Sequence, residues 1–155
     1  MDNPLSIIPL IWRSRKPSLL TDMKVLRNTF WLRKGYALTF FGTIITTSDD
    51  DTKEMSNGLS ALKNHEMIHL RQAQSCGDSW MRFYLFYIYY WLRLLPLSWH
   101  HHGAAYLLNP FELEAYRHMY DLSYLERCKD GATEWRTYAK MKPKERLQRY
   151  FNMYR

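Results

Sequence analysis

The chain has 155 residues, 46% of them hydrophobic, enough to bury one core and too few for two, so residues 1–155 are expected to form a single domain. A net charge of +7 favours acidic partners, but the basic residues are spread along the chain. No helix-turn-helix, zinc-finger or RNA-binding sheet pattern accompanies them, so no nucleic-acid partner is expected.

The chain opens Met1-Asp2-Asn3-Pro4 without a basic leader, and the apolar run from Ile7 to Trp12 is short and broken by Pro9, which does not read as a secretory signal. Cys76 and Cys128 are far apart and match no metal or disulfide spacing, so they read as free thiols of a reducing compartment, and the expected location is the cytoplasm. Residues 17–30 have mixed helical character, with Leu19, Leu20, Met23, Leu26 and Phe30 near three- and four-residue spacings. From Tyr36 to Thr47 the composition turns β-branched and aromatic, which predicts a strand or a bent pair of strands hinged near Gly42. A polar turn at 48–52 follows. The strand either belongs to the core or offers its edge to an extended peptide.

His65-Glu66-Met67-Ile68-His69 reads H-E-x-x-H. On a helix, histidines four apart stack on one face, one turn above the other, and can clamp a metal together. Glu66 follows the first of them directly, where a carboxylate can take a proton from a zinc-activated water and pass it to a leaving amine. The surroundings suit a helix: Ser56 as N-cap, apolar Leu59, Leu62, Met67, Ile68 and Leu70, and Gly77 as the residue after its end.

Aromatic residues make up 16% of the chain, more than a core requires, so some must line a groove, an interface or a membrane surface. They concentrate between Trp80 and Trp99. The uncharged stretch Phe83 to Leu92 lies between Arg82 and Arg93 and falls short of the ~20 residues that span a bilayer. The segment is read as a helix buried beneath the site and ended by Pro96 near Leu94 or Leu95, with a peripheral membrane or protein-partner surface as the alternative. His100 to His102 read as a solvated loop, or supply one substrate-facing histidine.

Asn109-Pro110 opens the next helix, expected to run to about Arg127, with Glu112 at the third position of a capping box. Further helices are expected over 134–141 and 143–154. Their basic residues, from Arg136 to Arg155, read as a solvated face.

Catalytic zinc takes three protein ligands. The metzincin pattern needs Gly and His where this chain has Gln72 and Ser75, which excludes it. Glu112 and Glu114 both remain open as the third ligand. With H-E-x-x-H at 65–69 and Glu112-Leu113-Glu114-Ala115 on a later helix, the sequence resembles the gluzincin class of zincin metallopeptidases. Glu112 to Ala115 is similar to the E-x-x-A half of the E-x-x-A-D signature of the membrane-associated prenyl-protein and antibiotic-sensor peptidase groups. The resemblance covers two helices, residues 56–76 and 109–121. It implies Zn2+ held by His65, His69 and Glu112, with Glu66 as the base. Tyr116 stands where the signature has Asp, a residue that fixes the tautomer of a ligand histidine in that family. Tyr116 itself, Glu114 or Asp121 are the candidates to replace it.

The expected fold is α+β and mostly helical, a zincin-like domain with a small β-sheet before the H-E-x-x-H helix. The expected function is a zinc-dependent peptidase that hydrolyses peptide bonds of a peptide or protein substrate. Tyr116, His118 or one of His100 to His102 would be the second donor to the oxyanion. The alternative is a non-catalytic zinc-binding regulatory or scaffold domain whose aromatic segment binds a partner.

Overall fold

The computed structural model describes the backbone of residues 24–27 and 37–40 and the whole of residues 43–46 and 60–153. Within the stretch expected to be helical lies strand β1 (Lys24–Arg27). Its Val25 and Leu26 stand opposite Ile44 and Ile45 of a parallel neighbour, and this pairing overrides a weak helical spacing. The β-rich run divides into β2 (Ala37–Phe40) and β3 (Thr43–Thr46), antiparallel, with Phe40 opposite Thr43. The strand order is β1-β3-β2, and Ile44 and Thr46 on the central strand point into the interior. The turn expected at 48–52 and the cap expected at Ser56 lie outside the described residues.

Helices make up most of what is described. Helix α1 (Ala61–Ser75) is capped by Ser60, whose Oγ accepts from the Lys63 amide at 3.2 Å. It ends as expected, with Gly77 at φ +81 and its amide donating to the Gln74 carbonyl. Helix α2 (Trp80–Ser98) runs through Pro96 instead of stopping before it; only two residues of the helix follow Pro96, so the lost backbone bond and the ring's crowding of the preceding turn fall at the end of the helix. Nor is α2 a buried helix: only Phe83 and Leu94 are buried, and the opposite side faces outward. Helix α3 (Ala104–Leu107) follows the exposed turn of His100 to His102.

The helix expected from Asn109 to Arg127 is two helices, α4 (Pro110–His118) and α5 (Tyr124–Arg127). The break has a partner: the buried Asn64 side chain donates to the carbonyls of His118, Met119 and Asp121 at 2.9–3.2 Å, taking up groups that a continuing helix would bond itself. Helices α6 (Trp135–Lys140) and α7 (Pro143–Met153) complete the chain. In the basic C-terminal run Arg146 turns inward, donating to the carbonyls of Leu108, Ala139 and Met141.

Helix α1 is central, packed against α2, α4, α5 and β2. Met67, Ile68 and Leu70 form a cluster with Ala115, Tyr124 and Leu125. Ala73 and Cys76 form another with Phe83, Phe111 and Trp135, in which the Phe111 and Trp135 rings stack at 4.4 Å. Ala115 is fully buried in the first cluster, where a small side chain lets α4 pack closely on α1.

Candidate metal centre

Helix α1 places His65 and His69 on one face, their rings 4.9 Å apart and nearly perpendicular. Helix α4 delivers Glu112 between them. Its Oε2 lies 3.2 Å from His65 Nε2 and its Oε1 3.4 Å from His69 Nε2, and the three residues offer ligand atoms that all fall within 4.8 Å of one another. All three are buried, as is Glu66 beside them.

Two amides of α1 set where α4 sits. Asn64 holds its C-terminal end, as described above. Near its N-terminal end Gln72 Nε2 donates to the Phe111 carbonyl at 2.9 Å and to Glu114 Oε2 at 2.8 Å. Asn109 caps α4 by accepting from the Phe111 amide, not from Glu112. The Glu112 carboxylate is thus directed to the histidines, and the expected capping box does not form. Asn109 also donates to the Tyr87 carbonyl, and Tyr87 donates its own hydroxyl to Glu112 Oε1 at 2.7 Å.

The other nitrogen of His69 is held by Gln72: Nδ1 lies 2.7 Å from Gln72 Oε1. Oε1 only accepts, so Nδ1 carries a proton and donates it, which leaves Nε2 facing Glu112. His65 differs. Its Nδ1 is buried without a hydrogen-bond partner, and the Tyr116 ring packs against its imidazole at 4.6 Å. Tyr116 donates its hydroxyl to Tyr106 at 3.3 Å.

Burial lowers the His69 imidazole, but the Glu112 carboxylate beside it, together with Glu66 and Gln72, outweighs burial and pushes it up to about 9. Burial likewise raises Glu112, but the charge of His69 and the close approach of both imidazoles hold it well below the usual carboxylate range. Tyr87 goes well above its ordinary value through burial and the charge of Glu112.

The remaining candidates lie elsewhere. Glu114 accepts from Gln72, from the Tyr124 hydroxyl at 2.7 Å and from the amides of Glu134 and Trp135, so it anchors the start of α6. His118, an expected catalytic donor, sits in that second network: its Nε2 is 2.7 Å from Glu134 Oε2 and its ring stacks on Tyr124 at 3.7 Å. Six residues beyond Glu112 on α4, it comes off the helix about 240° away and points from the histidine pair. Asp121 pairs with Arg127 and caps Ser123, so it replaces no second-sphere carboxylate. Gln72 and Tyr87 are the two site residues that sequence reasoning missed. Gln72 had a signal, lying three residues beyond His69 on the same face. Tyr87 had none among twelve tyrosines.

No protein family, curated protein or solved structure matches this chain. The fit of a metal therefore rests on the residues alone. A tetrahedral zinc with bonds of about 2.0–2.1 Å sets its nitrogen and oxygen donors about 3.3 Å apart; here each imidazole approaches a different oxygen of Glu112, at 3.2 and 3.4 Å, with one ligand atom from each of the three residues within 4.8 Å of the others. Glu112 Oε2 is buried and, despite its approach to His65, lacks a partner in hydrogen-bond geometry. Two imidazoles and a carboxylate are a donor set that zinc accepts. The three residues could hold a metal ion.

Proposed function

We propose that the chain is a gluzincin-like zinc peptidase that hydrolyses peptide bonds in a peptide or protein substrate. The observation that carries this reading is the convergence of Glu112 on His65 and His69 with Glu66 adjoining the first histidine. A zinc ion held by these three ligands would supply Lewis acidity toward a water and a scissile carbonyl. Glu66 then takes the proton from the attacking water on its carboxylate and returns it to the amine nitrogen as the peptide bond breaks. Of the expected oxyanion donors only Tyr116 touches the histidine pair, and its hydroxyl is assigned that task. An extended substrate would add to the outer edge of β2, the edge strand packed on α1. The free thiols Cys76 and Cys128 support a cytoplasmic setting.

A specific observation favours the second reading, a zinc-binding regulatory or scaffold domain that hydrolyses nothing. Glu66 and all three ligands are buried, and His65 Nδ1 has no orienting partner. One experiment separates the two. Glu66→Gln keeps shape but cannot accept a proton, so in the peptidase it retains zinc and loses peptide hydrolysis by ~100-fold or more. A zinc-loaded wild type that is inert on a broad peptide library selects the regulatory domain. A purified chain that neither carries zinc nor takes it up on titration removes both.

A further inference from the structure

The inner side of α2 is occupied by the core and by the contact of Tyr87 with Glu112. Among the described residues, the outer side is exposed. Met81, Leu85, Ile88, Leu92 and Trp99 recur at intervals of three, four or seven residues and so form one stripe, each between 42 and 86% exposed. Trp91 and Tyr89, also exposed, flank it. From Trp91 round to Tyr89, at about 100° per residue, about 160° of the helix surface carries no charge. Soluble monomers rarely expose so continuous an apolar surface without a use for it.

We propose that this face docks on an anionic lipid bilayer surface, with α2 lying in the plane of the headgroups. Charge selects that occupant. Helix α2 contains no acidic residue, and its two charges, Arg82 and Arg93, lie along one edge of the uncharged arc. Beyond that edge lies α6, whose Trp135 meets Phe86 at 5.9 Å and which carries Arg136 and Lys140. Basic groups along the rim of an aromatic face match phosphates above an acyl boundary: the rings settle at the interface while the guanidiniums reach the lipid headgroups. Breadth points the same way. The seam of a two-stranded coiled coil is narrower than this arc, so one partner helix would leave much of the face wet. A second copy of α2 would also bring more arginine and no carboxylate. The face suits lying on a bilayer; no helix among the described residues is long and apolar enough to cross one. The proposal does not depend on the chemistry at Glu66.

The test is flotation of the full chain with vesicles of phosphatidylcholine alone or with 30 mol% phosphatidylserine. The protein is expected to float with the anionic vesicles at least ~10-fold more strongly than with the neutral ones, and brominated acyl chains are expected to quench its tryptophan fluorescence. Leu85→Glu/Ile88→Glu, at exposed positions, should lower binding at least ~10-fold with the circular dichroism spectrum unchanged, and Arg82→Glu/Arg93→Glu should do the same on anionic vesicles only. No flotation of the wild type overturns the proposal. So does flotation lost in the arginine variant but kept in the Leu85/Ile88 variant, which would make the attraction a property of net charge alone. A wild type that is dimeric by light scattering, monomeric as Leu85→Glu/Ile88→Glu and indifferent to vesicles assigns the face to a second copy and also overturns it.

Discussion

Gln72 Oε1 accepts the Nδ1 proton of His69 at 2.7 Å, while Gln72 Nε2 is held by the Phe111 carbonyl and by Glu114. The amide cannot turn over without losing all three bonds, so it holds one tautomer of His69, with Nε2 toward Glu112. Gln72→Leu is expected to weaken zinc binding by about 10–100-fold in a competition titration. Gln72→Glu keeps an acceptor for His69 but sets a carboxylate against Glu114, so it should destabilise the fold more than Gln72→Leu in urea denaturation. Equal zinc affinity of wild type and Gln72→Leu would deny Gln72 this role.

Glu112 and Glu114 are two positions apart on α4 and point to opposite networks. Glu112→Ala should abolish stoichiometric zinc binding while the fold persists. Glu114→Ala removes the acceptor of four hydrogen bonds and leaves the buried Tyr124 hydroxyl and Trp135 amide unpaired, each worth about 1–3 kcal/mol before relaxation, so a net loss of about 3–5 kcal/mol is expected in urea denaturation. Zinc loss in the folded Glu114 variant, with zinc kept in the Glu112 variant, would exchange the two assignments.

Glu134 links α6 to His118. The hydrogen bond from His118, opposed by burial and aided by that from Tyr138, lowers its carboxyl from 4.5 to about 2. A carboxyl whose folded pKa lies below its unfolded one stabilises the fold fully above the unfolded value, so this contribution is present above pH 4.5 and lost as pH falls through about 2. Glu134→Gln should therefore be less stable than wild type at pH 6, with the gap closing between pH 4.5 and 2. A gap that stays constant with pH would show that the charge on Glu134 contributes nothing.

Gly131 adopts φ +117, and a Cβ there would lie 2.8 Å from the Ser75 amide nitrogen and 3.0 Å from its Cα and Cβ. The neighbouring Ala132 amide donates to the Arg71 carbonyl, so this turn is tied to the end of α1. Gly131→Ala should cost about 1–3 kcal/mol by thermal or urea unfolding. A variant as stable as wild type would mean that the turn relaxes away from α1.

What the sequence determined by itself is local. The histidine pair on one face of α1, Glu66 beside it, Gly77 past its end and the Asn109-Pro110 start of α4 follow from helical periodicity and capping, which involve residues a few positions apart. The tertiary structure decided the rest. Either Glu112 or Glu114 satisfied the local pattern, and the choice came from how Asn64 and Gln72 dock α4, contacts that span 39 to 57 residues. Tyr87 entered the site because Asn109 and Glu112 meet α2 at that turn. β1 is a strand because β3 lies alongside it. The exposed side of α2 was equally illegible: a helix apolar nearly all round does not encode which face its neighbours bury, and packing against described elements such as α1, α3 and α4 leaves Leu85, Ile88 and Leu92 exposed.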